Sequence, residues 1–406
     1  MQTSMLKIAM AITGALSLMS AGTAGAADVS DDALKIGLIT DMSGLYSDIG
    51  GPGAVVAAQM AIDDAGGKVL GKPIMLLTED HQNKVDIASG VARRWIDLEH
   101  VDMIAGMNNS SVALAVQKLA SEKKVLTMNT GAGAMLTEKH CTPYGIQYTY
   151  NTYALATGVA EGISRDNVKD WYLIVVDYAF GDSMANDATK ALTSLGSKVI
   201  GSVRVPINAS DFASPLLQAQ SSGADVIALA NSGQDLINTI KQANEFSIGT
   251  DGKQLVAFLI FLTDVKAMGL DLAQGLTFAT AFYWDRTDAT RKWSERFYEK
   301  HGAMPTMVQA GLYSAVSNYI KAVAEAGTDD SDVVRKKLGE MTINDFFTND
   351  GHIQKNGQLR HDMYLAKAKK PEESRSPWDL LNILQTIPSK QATISDADSE
   401  CPLSHE

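Results

Sequence analysis

Only two cysteines, Cys141 and Cys401, occur in the 406 residues. That excludes a thiolate metal cage, and no C-x-x-C pair is present to act as a redox centre. An even pair reads instead as one disulfide of an oxidising compartment, with Cys401 tying down the C-terminal tail. The seven histidines show no metal-ligand spacing, and H-E-x-x-H does not occur. No G-x-S-x-G elbow, no G-K-[ST] after a glycine-rich turn and no Rossmann glycine fingerprint is found. No catalytic residue, metal or cofactor is therefore expected, and the chain does not read as an enzyme. Positive charge is in deficit, with 35 Lys and Arg against 47 Asp and Glu, which argues against nucleic acid or an anionic membrane surface as partner. After Ala27 no apolar stretch is long enough to span a bilayer.

The N-terminus has an early cation, Lys7, an apolar run from Ile8 to Met19, and small residues ending at Ala27. Ala24 and Ala26 meet the small-x-small rule for signal peptidase, so residues 1–26 read as a cleaved export signal leading to the periplasm. About 380 residues then remain, more than one compact core accommodates and suited to two domains.

From Leu34 the pattern alternates strand, turn and helix. Leu34–Thr40, Pro73–Thr78, Met103–Ala105 and Val125–Met128 are strand-like, with helices between them. The cadence restarts after about residue 150 with Trp171–Val176, Lys198–Val205, Asp225–Ala230, Leu255–Leu262 and Gly275–Ala281. Two such units imply an α/β protein of two doubly wound lobes with parallel sheets covered on both faces. Three consecutive helices follow between Thr290 and Met341. A hairpin is then expected around Asp350-Gly351, and a strand at Met363–Ala368. Late elements docking on lobes already built mean that the chain crosses between lobes more than once. The tail from Ser389 reads as polar and weakly ordered until Cys401.

In open α/β sheets ligands sit beyond the carboxyl ends of the strands, at helix N-termini. The glycine-rich loop Asp41–Gly53 opens a helix and carries Tyr46, which either stacks on a ligand or packs internally. The next loop holds Asn109, Ser110 and Ser111; either serine is a natural N-cap. The third runs from Asn129 and Thr130 through Gly133. Neutral donors at three strand ends make a coherent anion site. In the second half, Tyr178 follows one strand and Asn231 another. Asp235 begins a helix, so it either caps it or accepts from a ligand ammonium. Phe282 and Tyr283 lie near a crossing between lobes, where aromatics wall a pocket or pack a hinge.

The run KIGLITDMSGLYSDIGGPGAVVAAQMAIDDAGG resembles the opening of the branched-chain amino acid-binding proteins, the type I periplasmic binding proteins of ABC importers. KPIMLLTEDHQNKVDIASGVARRWI, VDMIAGMNNSSVALAVQ and DYAFGDSMANDA follow in the family's order over nearly the whole chain. The resemblance implies two Rossmann-like lobes joined by three crossovers that close on a ligand. Lobe 1 would be residues 27–149 with 284–343, and lobe 2 residues 150–283 with 344–385. Residues 386–406 would form a tail tied to lobe 1. Asn109, Ser110 and Thr130 would hold the ligand carboxylate, with Tyr46 on the rim. Tyr178, a residue at or near Asp235, and Phe282 or Tyr283 would contribute from the other side. The implied partners are a small carboxylate-bearing molecule and an inner-membrane ABC permease, with the protein a monomer. A periplasmic sensor subunit on the same fold is the alternative. The ending HDMYLAKAKKPEESRSPWDLL is similar to a subgroup that includes binders of aromatic and other non-amino-acid carboxylates.

Overall fold

The computed structural model describes residues 29–164, 169–249 and 252–406, so the expected export signal lies outside the described residues. The first half is a six-stranded sheet of β1 (Leu34–Thr40), β2 (Lys68–Val69), β3 (Lys72–Asp80), β4 (Met103–Gly106), β5 (Leu126–Asn129) and β6 (Gly145–Gln147). Its order is β2-β3-β1-β4-β5-β6, parallel except where β2 turns back onto β3. Helices α1 (Gly51–Asp64), α2 (Val85–Arg94) and α3 (Ser110–Glu122) connect the strands. Every residue of β1 but Lys35 is buried, as a strand covered on both faces requires. Gly37 provides the seat for Trp95, because a Cβ there would stand 2.5 Å from the indole.

The second half opens with α4 (Thr152–Ser164) and continues with β7 (Asp170–Val176), α5 (Ala179–Ser194), β8 (Lys198–Val205) and α6 (Ala213–Ser221). It closes with β9 (Val226–Ala230), α7 (Gly233–Glu245), β10 (Gln254–Ala257), α8 (Leu262–Met268) and α9 (Leu270–Ala273). These strands form a parallel sheet of order β10-β9-β7-β8. β9, with its neighbours on both sides, is fully buried, whereas β8 at the edge alternates with solvent.

After β11 (Thr277–Thr280) the chain returns to the first half as α10 (Asp288–His301) and α11 (Met307–Ala326), both packed on α1, followed by α12 (Ser331–Glu340). Thr306 Oγ1 donates to Ile49 O at 2.6 Å and Gln309 Nε2 to Gly50 O at 3.1 Å, pinning the loop before α1. The hairpin of β12 (His352–Ile353) and β13 (Leu359–Arg360) leads to β14 (Met363–Ala368) and β15 (Leu381–Ile387). With β11 these last two strands form a three-stranded antiparallel sheet of order β11-β14-β15, packed with the second half.

The two α/β halves are as the cadence implies, and three local expectations are corrected. The expected strand Leu255–Leu262 stops at Ala257. Phe261 N donates to Asp264 Oδ2 at 2.9 Å, and that bond starts α8 instead. The hairpin turns at Lys355–Gly357, not at Asp350-Gly351, where Gly351 bridges to Ile343. Gln147 N donates to Gly357 O at 3.0 Å and Ile343 N to Gly351 O at 2.8 Å, which sets the stretch from 351 to 358 beside β6. The tail is packed, with Ala392, Thr393, Ser399 and Cys401 all buried. Cys401 is disulfide-bonded to Cys141, as the pair suggested.

Candidate functional site

The loops after β1, β3, β4 and β5 are locked together by amide and carboxylate side chains. Asp41, fully buried, accepts from Gly44 N and Tyr46 N at 2.8 Å each and also from Asn83 Nδ2. Asn108 Oδ1 accepts from Asp41 N at 3.2 Å and bonds His81 Nε2 at 3.0 Å. Because His81 Nδ1 accepts from Asn83 N at 2.9 Å, Nε2 carries the proton. Burial lowers the His81 pKa, which keeps the ring neutral. Asn108 was not singled out in the sequence, yet it joins three loops; its amide also donates to Tyr46 O at 3.2 Å.

Asn109, rather than either serine, caps α3: its Oδ1 accepts from Ser111 N at 2.9 Å and Val112 N at 3.2 Å. Ser110 is buried, and its Oγ accepts from Gly133 N at 3.1 Å, joining the loops after β4 and β5. Thr130 Oγ1 donates back to Gly106 O at 3.1 Å. Asn129 Nδ2 donates to Gln117 Oε1 at 3.0 Å. In the second half Asn231 behaves alike, with Nδ2 donating to Thr239 Oγ1 at 2.9 Å. The Oδ1 atoms of Asn129 and Asn231 are both buried without a hydrogen-bond partner among the described residues. Each is an acceptor at a strand end with capacity to spare.

Three of the contacts between the two halves flank the candidate site. Tyr46 Oη lies 2.8 Å from Tyr178 Oη, and burial pushes both phenols up. Ala134 N donates to Ser183 Oγ at 3.1 Å and Thr152 Oγ1 at 2.9 Å, bringing the loop after β5 onto α5. Gly233, at φ +61°, sits where a Cβ would come 2.9 Å from Leu45 O and 3.1 Å from Tyr46 Cδ1. Only glycine suits both that backbone and that approach.

Between the halves lies a cleft of about 530 Å³. The first half lines it with Leu45, Asp48, Ile49, Gln82 and Asn83, and the second with Asn208, Gln234, Ile237 and Asp264 among others. Among the described residues no Lys or Arg lines it. Burial pushes the Asp264 carboxyl up to about 7; the Phe261 amide opposes this and the Asp48 carboxylate adds to it. Asp235, buried on the first turn of α7, accepts from Asn208 N at 2.9 Å, and burial raises it to about 6. Its cap role falls to Ser232, which occupies the N-cap position without a side-chain cap bond. The arrangement favours a guest that presents hydrogen-bond donors or positive charge to this wall.

Of the residues singled out in the sequence, the structure brings Tyr46 and Tyr178 into contact across the halves and places Ser110 beside Gly133. None of the ten expected site residues is itself in the lining of the cleft, and Phe282 and Tyr283 lie away from it. Phe282 stacks on Phe347 and meets Trp293 and Phe346 edge to face, and Tyr283 Oη bonds Asp379 at 3.4 Å inside the second half. Sequence reading missed Asp48, Asn83, Asn208 and Asp264. An Asp three residues past the N-cap of a helix was the available signal for Asp264. Among the described residues no cluster of potential ligands for a metal is found, and no helix is long and apolar enough to cross a membrane.

A family model described as periplasmic binding protein matches residues 33–373. A relative named Leu/Ile/Val-binding protein homolog 7, from Brucella abortus, is 31% identical over 238 residues. That match covers 55% of this chain and 58% of the relative, little more than half the length of each. Among solved structures, a periplasmic binding protein from Burkholderia mallei superposes with a TM-score of 0.90 at 46% identity, over 92% of this chain and 99% of that one. A branched chain amino acid ABC transporter periplasmic ligand-binding protein from Burkholderia xenovorans gives 0.83 at 40% identity, over 91% and 100%.

Proposed function

The chain belongs to the periplasmic binding protein family, and on that footing we propose that it captures a small carboxylate-bearing solute between its two halves for an ABC importer. The observation that carries the reading is the cleft itself, lined by strand-end loops of both halves, which touch through Tyr46 and Tyr178. Closing such a cleft removes the guest from water and presents one closed surface to a permease.

The guest's carboxylate is assigned to the start of α3, which does not itself line the cleft but adjoins it through Asn109, whose Nδ2 donates to Oδ1 of the cleft residue Asn83 at 3.3 Å. There Ser110 Oγ, accepting from Gly133 N, keeps its own proton to donate, and the helix terminus favours negative charge. Its other end is assigned to Asp264, with the amides of Asn83, Asn208 and Gln234 along the wall and Asp235 behind it, holding Asn208 N. A carboxylate at one end and an ammonium or amide at the other fits both walls, so an amino acid or amino-acid-like solute is favoured over a plain organic acid. Asn109, Asn129, Thr130 and Asn231 then shape the loops, with spare acceptors on Asn129 and Asn231. Phe282 and Tyr283 stiffen the region where β11 leads to α10. Lobe 1 is taken as residues 29–149, 284–361 and 399–406, and lobe 2 as the described remainder. Export to the periplasm and a monomeric state complete the proposal.

The test is a thermal-shift screen of amino acids, aromatic acids, keto acids and amides. A true guest at one hundred times its dissociation constant adds about 2.7 kcal/mol of stability. Ser110→Ala and Asp264→Ala should each abolish most of that shift. A guest that stabilises both variants as well as the parent overturns the assignment.

A further inference from the structure

The chain passes between the halves from β6 to α4, from β11 to α10 and from β13 to β14. It does so a fourth time after β15. That strand pairs with β14 in the second half, whereas Cys401 is bonded to Cys141 in the first.

The path between these points is held at successive stations. Ser389 N donates to Asp362 Oδ1 at 2.7 Å, and Gln391 Nε2 bonds the Glu161 carboxylate of α4. Ala392, 2% exposed, sits against Gln147, Tyr150, Gln358 and His361, which belong to two of the other crossings. On the first half, Glu138 collects the end of the tail. It accepts from Ser399 Oγ at 3.0 Å and Glu400 N at 2.7 Å, and from Asn356 Nδ2 at 3.2 Å. Glu400 also reaches Lys190 of α5 at 3.5 Å. A second gap of about 550 Å³ between the halves is bounded by Met135 and Lys139 on one side and Asp182 and Asn186 on the other. Ile394 and Asp398 of the tail close it.

We propose that residues 388–401 and the Cys141–Cys401 bond form a covalent strap that limits how far the two halves swing apart. Swinging them open must pull the tail from stations on one half or the other. Its hydrogen bonds are individually modest against the entropy of an ordered segment, so without a covalent end the tail would let go. The disulfide keeps the released segment at high local concentration beside Glu138, so that it docks again and draws the halves back.

The test needs no solute. Spin labels on unnatural residues at exposed Lys118 of α3 and Gln218 of α6 report the distance between halves by pulsed electron resonance. The full chain is compared with Cys141→Ser/Cys401→Ser and with Glu138→Ala, which keeps the disulfide. The strap predicts a longer and broader distance distribution in the double serine variant, at unchanged far-ultraviolet circular dichroism. It predicts a smaller broadening in Glu138→Ala, which loses one docking station but keeps the covalent end. If the serine variant does not fold, the parent is reduced after folding, and the same broadening is expected. Distributions that match the parent's after loss of the disulfide overturn the proposal. So does an equal opening in Glu138→Ala, which would mean that the covalent bond sets no limit.

Discussion

Tyr46 and Tyr178 place their hydroxyls 2.8 Å apart although one follows β1 and the other β7, in opposite halves of the molecule. Tyr46 is buried and Tyr178 partly so, which limits the access of competing water to the bond. Tyr178→Phe keeps the ring and removes the bond. It should cost about 1 kcal/mol of closed-state stability and so weaken solute binding by several-fold. Calorimetric titration with a solute found by thermal shift checks this; an unchanged affinity would mean that the bond is absent in the closed complex.

Gly233 is the second point of contact. Gly233→Ala meets a positive φ and a Cβ within 2.9 Å of Leu45 O, so the halves must separate or the loop must move. The expected outcome is a protein that folds with normal circular dichroism and binds at least about tenfold more weakly. Titration beside a thermal melt separates this from simple destabilisation.

The capping arrangement gives a prediction on stability alone. Asn109→Ala removes the acceptor for two amides of α3 and should cost about 1 kcal/mol. Ser111→Ala should cost less than about 0.5 kcal/mol, since Ser111 is not the cap. Urea denaturation of the two variants checks the order, which is the reverse of what a serine cap would give.

Legibility in the sequence divides along physical lines. Strands covered on both faces, such as β1 and β9, could be read because they are apolar throughout, whereas the short edge strands β2 and β6 were not read. The start of α3 could not be resolved, because Asn109, Ser110 and Ser111 are all capable caps and only the backbone chooses among them. Asp264 was hidden by the apolar run that precedes it. Leu255–Leu262 reads as one strand, and the break at Ala257 depends on the bond from Phe261 N to Asp264. Phe282 was ambiguous for a different reason: an aromatic at a crossing suits a pocket or a hinge equally, and its partners Trp293, Phe346 and Phe347 come from distant sequence. The tail looked loose because it is polar, yet Glu138, remote in sequence, satisfies it.

The raised carboxyls predict how stability depends on pH. Burial lifts Asp264 from its ordinary 3.8 to about 7 and Asp235 to about 6, so the folded state holds protons that the unfolded chain releases. Their contribution is fully present below about pH 4 and is lost as pH rises through about 6 to 7. Asp264→Asn keeps an acceptor for Phe261 N but cannot ionise. It should flatten the slope of melting temperature against pH between about 5 and 8 and raise stability at the upper end. Scanning calorimetry across that range checks it; a slope as steep as the parent's would remove Asp264 from the account.

The most direct test is a crystal structure of the protein with the solute that gives the largest thermal shift. The account predicts density in the cleft between Asp48 and Asp264, touching Ser110 with a carboxylate and reaching residues of both halves. A solute found in the other gap, beside Met135 and Asp398, or bound to one half alone, would contradict it.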